Sequence, residues 1–195
     1  MNISQFRSAL SLLAVLGTGS AVVLTTPAPV QAKTKTKMVG GGAMYPTKNI
    51  VENAVNSKDH TTLVAAVQAA GLADTLSGPG PFTVFAPTNE AFAKLPAGTV
   101  DTLLLPENKG TLTTVLTYHV VPGKYSAKEL MKLVKQGGGI AHLKTVQGGL
   151  LTFTKEGKRV KVTDAKGGVS HITIPDVNQS NGVIHVVDTV LMPAS

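Results

Sequence analysis

Two apolar segments, beginning at Phe82 and Val183, constrain the fold of this chain more than any other feature. The first, Phe82–Pro87, carries apolar side chains on both faces of a strand with a two-residue period. The second, Val183–Met192, is a nearly continuous apolar run that follows the turn signal Asn181-Gly182. A strand that is apolar on both faces belongs inside a sheet that is covered on both sides. We therefore predict that both segments form interior strands.

The residues after the first segment predict a short helix. Pro87 is expected to end the strand, because proline lacks the N–H group that a neighbouring strand would bind. Thr88 then stands at the N-cap of a helix that runs through Asn89 and Glu90 to Phe92, and the Glu90 carboxylate suits the positive end of that helix. We interpret Thr88 and Asn89 as cap and turn residues and not as ligand contacts.

Helical patterns dominate the first half of the chain and strand patterns the second. Helices are predicted at 50–55, 60–70, 106–116 and 126–136, the last of them beginning with a capping box of Ser126 and Glu129. Tyr118–Val121 is predicted to be extended. Short strands joined by glycine turns are predicted at 142–147, 150–155, 158–163, 169–174 and 183–192. This order is typical of an α+β domain with a mainly antiparallel sheet.

Three motifs together resemble a known family. The stretch Phe82–Phe92, the pair Tyr118-His119 and the stretch Gly182–Asp188 are similar, in order and spacing, to the hallmark segments of the fasciclin domain family. The resemblance covers about Met44–Pro193, and its structural-motif residues are Phe82, Thr88, Asn89, Phe92, His185 and Asp188. It implies an α+β fold, a wedge-shaped β-sandwich with several helices mainly in the N-terminal half.

The N-terminus has the pattern of a secretory signal peptide. Arg7 precedes an apolar run, Ala9–Leu24, and prolines and small residues then lead to Ala32. The run is shorter than the ~20 apolar residues that a membrane-spanning helix needs. We predict a signal peptide over residues 1–32 with cleavage near Ala32, a flexible basic linker over 33–47 and a single domain over 48–195. The mature protein is accordingly expected to be secreted, either to the periplasm or to the extracellular medium.

Composition excludes several classes of site and partner. The chain has no cysteine, which rules out disulfides, thiolate metal sites and a cysteine nucleophile. Its formal net charge is +7, and Lys33, Lys35 and Lys37 lie together in the predicted linker. We favour a solvated tail; the alternative is a weak, salt-sensitive contact with an anionic polysaccharide or membrane headgroups. We expect no nucleic acid partner, because the other lysines are scattered and few aromatic side chains are present for base stacking.

No group of residues in the sequence indicates catalysis. The five histidines are dispersed, and none forms a pair at helical ligand spacing, so we expect neither a metal nor a cofactor. His185 and Asp188 look like an acid and a base, but a separation of three residues directs them to opposite faces of a strand. There is no Gly-x-Ser-x-Gly nucleophile elbow and no evident carboxylate pair for glycoside cleavage. We therefore expect that the protein is not an enzyme.

The segment around Tyr118-His119 allows two interpretations. In the first, the Tyr118 ring is buried with its hydroxyl hydrogen-bonded, and His119 ties a strand to a helix in the core. In the second, Tyr118, His119, Val120 and Val121 form a binding segment, because they resemble the part of animal family members credited with receptor adhesion. The aspartate-containing adhesion motifs of some animal domains are not evident in this chain.

The family resemblance implies a secreted, non-catalytic protein that mediates cell adhesion or contact with extracellular matrix and surfaces. The expected partner is a cell-surface protein or an envelope polysaccharide. The alternative is a carrier of an apolar small molecule such as a carotenoid, since some family members bind carotenoids and a wedge of sheet and helices can leave an apolar groove. The side chains that could line such a groove are Met44, Val51, Met131 and Val134, although such residues are more often ordinary core.

Overall fold

The computed structural model describes residues 36–194, so the predicted signal peptide and the lysines Lys33 and Lys35 lie outside the described range. Helices α1–α7 comprise Ile50–Ala54, Thr61–Ala70, Ala73–Ser77, Asn89–Ala93, Thr99–Leu104, Lys109–Tyr118 and Ala127–Gln136. Strands β1–β9 comprise Lys37–Val39, Gly42–Met44, Phe82–Pro87, Val120–Pro122, Ile140–Lys144, Leu150–Glu156, Arg159–Thr163, Val169–Gln179 and Gly182–Val187. Within residues 36–194, no helix combines the length and apolarity needed to cross a bilayer.

Strands β3–β9 form one mixed sheet in the order β4-β3-β9-β8-β7-β6-β5. β3 and β9 pair in parallel, and the other neighbouring strands pair antiparallel. The register of β8 shifts between Ile172 and Ile174 and again before Val177, as expected where bulges bend a strand. The sheet folds back on itself: β3 and β6 are not neighbours in the strand order, but the rings of Phe85 in β3 and Phe153 in β6 have centroids only 5.4 Å apart. The prediction of an α+β domain with a mainly antiparallel sheet is confirmed.

Two apolar clusters occupy the two faces of β3 and β9. Val84 and Ile184 point toward α1, α2 and α6, where Phe92 of α4 and the half-buried Phe82 also pack. Phe85 and Val187 point the other way, into a cluster that includes side chains of α7 and of β5–β8. Because successive residues of a strand face opposite sides, two neighbouring strands contribute to both clusters at once. The prediction that these two segments are interior strands is confirmed.

Residues 37–44 form a β-hairpin, so the prediction of a flexible linker over residues 33–47 is wrong for this part. β1 and β2 pair across Gly40-Gly41, whose φ angles of 56° and 73° suit a tight turn. The side chains of Val39 and Met44 are buried in the first cluster. Burial of two apolar side chains stabilises this glycine-rich segment against the domain, and the folded domain therefore extends at least to residue 37.

The end of α6 differs from the extended structure predicted for Tyr118–Val121. Tyr118 is the last residue of the helix, and His119 is its C-cap, with its backbone N–H bonded to the Leu116 carbonyl. Strand β4 begins only at Val120. The helix continues because Val115, Leu116 and Tyr118 are all buried against the sheet, so tertiary packing overrides the β preference of the local sequence.

Asn181 joins three parts of the chain just before β9. Its Oδ1 accepts a hydrogen bond from the Ile50 N–H at 3.1 Å, and its Nδ2 donates to the carbonyls of Leu76 at 2.8 Å and Gly78 at 3.0 Å. The next residue, Gly182, lies against β3 so closely that a Cβ there would come within 2.1 Å of the Phe82 carbonyl oxygen. The Asn-Gly pair therefore fixes the start of β9 against α1, α3 and β3.

We expect Asn181→Ala to lower the free energy of unfolding by about 2–4 kcal/mol, because it leaves partly buried backbone groups without hydrogen bonds. Urea denaturation followed by circular dichroism measures this loss. Asn178→Ala is the matched control, since Asn178 is exposed and its side chain makes no hydrogen bond within residues 36–194. Equal stability of the two variants would contradict the bracing role of Asn181.

Candidate functional site

Thr88 and Asn89, the polar residues after β3, cap two helices. The Thr88 Oγ1 accepts a hydrogen bond from the Ala91 N–H at 3.2 Å, which makes Thr88 the N-cap of α4. The Asn89 Oδ1 accepts from the Thr62 N–H at 3.0 Å, at the start of α2. The residue at the N-cap of α2, His60, forms no side-chain cap of its own. Asn89 therefore supplies a cap to α2 from a distant part of the chain.

His119 connects the end of α6 to the C-terminal segment. Its Nδ1 lies 2.8 Å from the Val115 carbonyl, and its Nε2 lies 2.9 Å from the Leu191 N–H. The Leu191 N–H can only donate, so Nε2 is the acceptor and Nδ1 carries the proton of a neutral ring. Burial lowers the pKa of His119 from 6.5 to about 4, although the Val115 carbonyl and the Asp164 charge oppose the shift. His119 is a neutral structural bridge at ordinary pH.

Tyr118 has a similar structural role on the other side of the sheet. Its ring is fully buried. The hydroxyl donates to the Leu150 carbonyl at 2.7 Å and accepts from the Ala165 N–H at 2.9 Å. The side chain thus joins the end of α6 to β6 and to the turn that follows β7.

The four residues predicted as a binding segment lie inside the protein. The exposed fractions are 0% for Tyr118, 2% for His119, 5% for Val120 and 1% for Val121. A macromolecular partner cannot contact side chains that are covered in this way. The prediction of a direct binding surface here is therefore wrong. The physical reason is that Tyr118, Val120 and Val121 pack in the two clusters, while the buried His119 is held by internal hydrogen bonds.

His185 and Asp188 have separate partners. The His185 Nδ1 accepts from the Asp176 N–H at 3.2 Å, and its Nε2 donates to the Tyr125 carbonyl at 2.7 Å. Its ring stacks on Phe85 with centroids 5.6 Å apart, and burial lowers its pKa. His185 is therefore a second neutral, internally bonded imidazole.

Asp188 belongs to a surface group that the sequence did not reveal. Its Oδ1 accepts from the His171 N–H at 2.8 Å, and its Oδ2 lies 3.4 Å from the His171 Nδ1. Glu156 approaches the other ring nitrogen of His171 at 2.9 Å. Partial burial opposes the effect, but hydrogen bonds from His171 and Thr189 lower the pKa of Asp188. Within residues 36–194, no set of three or more histidines and carboxylates is arranged to hold a metal.

An apolar cavity of about 50 Å³ lies between α1, α2 and the strands β3 and β9. His60 lines it, with Nδ1 2.8 Å from the Ser57 hydroxyl. Burial lowers the pKa of His60. The Ala86 backbone opposes this shift, and the His60 Nε2 is buried without a hydrogen-bond partner within residues 36–194.

The cavity does not match the groove suggested by the sequence. Met44 and Val51 line it, whereas Met131 and Val134 pack in the second cluster, around α7. Sites that hold drug-sized molecules have volumes of roughly 300–1,000 Å³. A carotenoid therefore does not fit this cavity unless the helices separate from the sheet.

Comparison with known proteins identifies relatives over most of the chain. A family model described as the Fasciclin domain matches residues 58–193. Protein sll1483 of Synechocystis sp. is 48% identical over 178 residues, covering 90% of this chain and 92% of that protein. Immunogenic protein MPB70 of Mycobacterium bovis is 38% identical over 145 residues, covering 72% of this chain and 66% of that protein. Transforming growth factor-beta-induced protein ig-h3 of Sus scrofa is 40% identical over 132 residues, 67% of this chain but 17% of that protein.

A solved structure shares the fold. The structure of a FAS1 domain pair from the insect cell adhesion molecule fasciclin I matches with a TM-score of 0.66, covering 74% of this chain and 51% of that chain. At 20% sequence identity, this match concerns the fold alone. It confirms the fasciclin-like architecture predicted from the three motifs.

We expect acid to destabilise the fold through His119. The unfolded ring has a pKa of 6.5 and the folded ring about 4, so the unfolded chain binds more protons between these values. Stability is full above pH 6.5 and falls by about 3 kcal/mol as the pH drops toward 4. The lowered pKa values of His60 and His185 act in the same direction.

Urea unfolding at several pH values between 7 and 4, with NMR titration of the imidazole rings, measures this effect. His142→Gln is the control, because it removes an imidazole that is exposed and not part of the core. A stability that does not change across this range, or a His119 ring that titrates near 6.5, would show that the bridge is not neutral and buried.

Proposed function

The chain belongs to the fasciclin domain family, and on this premise we propose that it is an exported, non-catalytic protein that mediates cell adhesion or contact with a surface matrix. Its partner is a cell-surface protein or an envelope polysaccharide. Export rests on the signal-peptide pattern of residues 1–32. A structural relative, fasciclin I, is itself a cell adhesion molecule.

One observation carries this proposal: the buried polar side chains of the motif segments are bonded internally. Both ring nitrogens of His119 and of His185 have partners, and both rings are buried. A general base or acid has to reach the proton that it transfers, and neither ring can do so. In the described part of the protein, a partner would therefore contact the outer surface and not these histidines.

The group of polar residues around His171 does not form a serine-nucleophile site within residues 36–194. His171 lies between two carboxylates, but the single proton of the Ser170 hydroxyl next to it is shared between Asp188 Oδ1 at 3.2 Å and the Thr189 carbonyl at 3.0 Å. A nucleophilic serine needs a hydrogen bond to its base, and Ser170 is instead bonded to an acid and fully buried. This geometry supports a structural role for the group.

The alternative function, carriage of an apolar small molecule, predicts a bound pigment, whereas the adhesive function does not. We expect protein isolated from its source organism to be colourless, because the internal cavity of about 50 Å³ is far smaller than a carotenoid requires. A visible absorption spectrum of the purified protein measures this. Bound pigment, or a melting temperature raised by added carotenoid, would show that α1 and α2 open and would restore the alternative.

We expect the purified mature protein to bind the surface of cells of its source organism, and deletion of its gene to reduce their attachment. Binding is measured by flow cytometry with labelled protein. The control is an unrelated exported protein of similar size and net charge, because a basic protein adheres weakly to anionic surfaces in any case. Binding no stronger than this control, with normal attachment of the deletion strain, would reject the adhesive function.

A further inference from the structure

Positive charge is concentrated in one half of the described domain. Residues 36–119 contain five lysines and six carboxylates, whereas residues 120–194 contain nine lysines, one arginine and five carboxylates. The formal charge is therefore −1 in the first part and +5 in the second. Helix α7 and the strands β5–β8 belong to the basic part. A field of one sign attracts a partner of the opposite sign.

Much of this charge lies along the outer side of α7. Lys128, Lys132 and Lys135 follow one another at intervals of four and three residues, which places them on one face of a helix. Lys124 precedes the helix, and all four side chains are exposed. We name these four residues the lysine stripe. The opposite face of α7 is anchored by Leu130 and Val134, which are buried in the second cluster.

Helix stability requires only part of the lysine stripe, since Lys135 in the last turn suits the negative end of the helix dipole. Like charges at such spacing destabilise a helix, and within residues 36–194 no lysine of the stripe forms an ion pair. The acidic residue of α7, Glu129, already accepts hydrogen bonds from the Ser126 backbone as part of the capping box. Helix stability therefore does not require four lysines here, whereas an anionic partner would engage all of them.

A polar cleft continues the stripe at the start of α7. It has a volume of about 500 Å³, and Lys37 and Lys124 are among its lining residues, together with the exposed Asn178 and Ser180. Its carboxylate, Asp176, accepts a hydrogen bond from the Ala127 N–H at 2.7 Å. Lys124 belongs to both the cleft and the stripe, so the two form one basic track. The amide and hydroxyl groups of the cleft are suited to sugar hydroxyls.

Resting on the proposed function, we propose that the lysine stripe and the polar cleft bind an acidic polysaccharide that carries uronate carboxylates. A linear polymer with repeated carboxylates can engage ammonium groups that extend for about 10 Å along a helix of 1.5 Å rise per residue. Several weak contacts on one chain combine into useful affinity.

A membrane surface fits the stripe less well. An interfacial helix inserts an apolar face between the lipid headgroups, but the apolar face of α7 is occupied by the core of the domain. The exposed residues of α7 are Lys128, Glu129, Lys132, Lys135 and Gln136, and none of them is apolar. Met131 and Leu133 are half-buried and pack against the second cluster. Contact with lipid would therefore depend on the charges, and vesicles provide a direct comparison.

The test uses the full mature protein and immobilised polygalacturonate as the probe. In the stripe variant, Lys124, Lys128, Lys132 and Lys135 are all replaced by Gln. The control variant has the same change in net charge, with Lys58, Lys109, Lys155 and Lys158 replaced by Gln; these four are exposed and lie outside the stripe. Circular dichroism and urea unfolding establish that both variants fold.

We expect the stripe variant to lose affinity for polygalacturonate by about tenfold or more at low salt, and the control variant to lose less than threefold. Wild-type binding should weaken steeply as salt is raised. Equal losses in both variants, or no binding by the wild type, would overturn the proposal. Stripe-dependent binding to vesicles rich in anionic lipid that is tighter than binding to the polymer would overturn it in favour of a membrane.

Cell binding separates this proposal from the function on which it rests. If the wild type binds cells but its binding to polygalacturonate does not depend on the stripe, the adhesive function stands and the further proposal fails alone. If the wild type binds polygalacturonate through the stripe but does not bind cells, the polysaccharide site stands and the adhesive function fails.

Discussion

The parallel pairing of β3 with β9 determines where the helices and the remaining strands pack. Both strands are interior and contribute to both apolar clusters, so their alignment places the helices on one side and α7 with the β5–β8 strands on the other. Parallel strands cannot be joined by a tight turn, and here the two are far apart in the chain. The backbone joins them at the start of β9, where the Phe82 N–H donates to the Asn181 carbonyl at 3.1 Å and Gly182 lies against Phe82. The Asn181 side chain ties the same point to the Ile50 and Leu76 backbones.

The hallmark motifs are therefore a scaffold. Thr88 and Asn89 cap helices, and Tyr118, His119 and His185 each bond to backbone groups of distant segments. A buried polar side chain is costly unless it is bonded in this way, so each of them also specifies which segments meet. These internal bonds do not involve the outer surface of the domain, and the proposed binding function is therefore assigned to side chains on that surface.

Much of the fold was predictable from sequence because local signals and packing agree. The two interior strands and helix α7, with its Ser126 and Glu129 capping box, follow directly from apolar periodicity and cap chemistry. The hairpin at residues 37–44 was missed because its two buried side chains lie among lysines and glycines. Asn89 as a cap of α2 and the exposed lysines of α7 next to the cleft depend on tertiary contacts, which no local pattern contains.

We infer that the motifs build the domain while its outer surface binds the partner. Hydrogen–deuterium exchange distinguishes these roles when the mature protein is measured alone and saturated with polysaccharide extracted from the envelope of its source organism. We expect slower exchange in α7 and in the chain around Asn178, with no change at the amides of Tyr118–Val121. Protection centred on Tyr118–Val121, with α7 unaffected, would show that this inference is wrong.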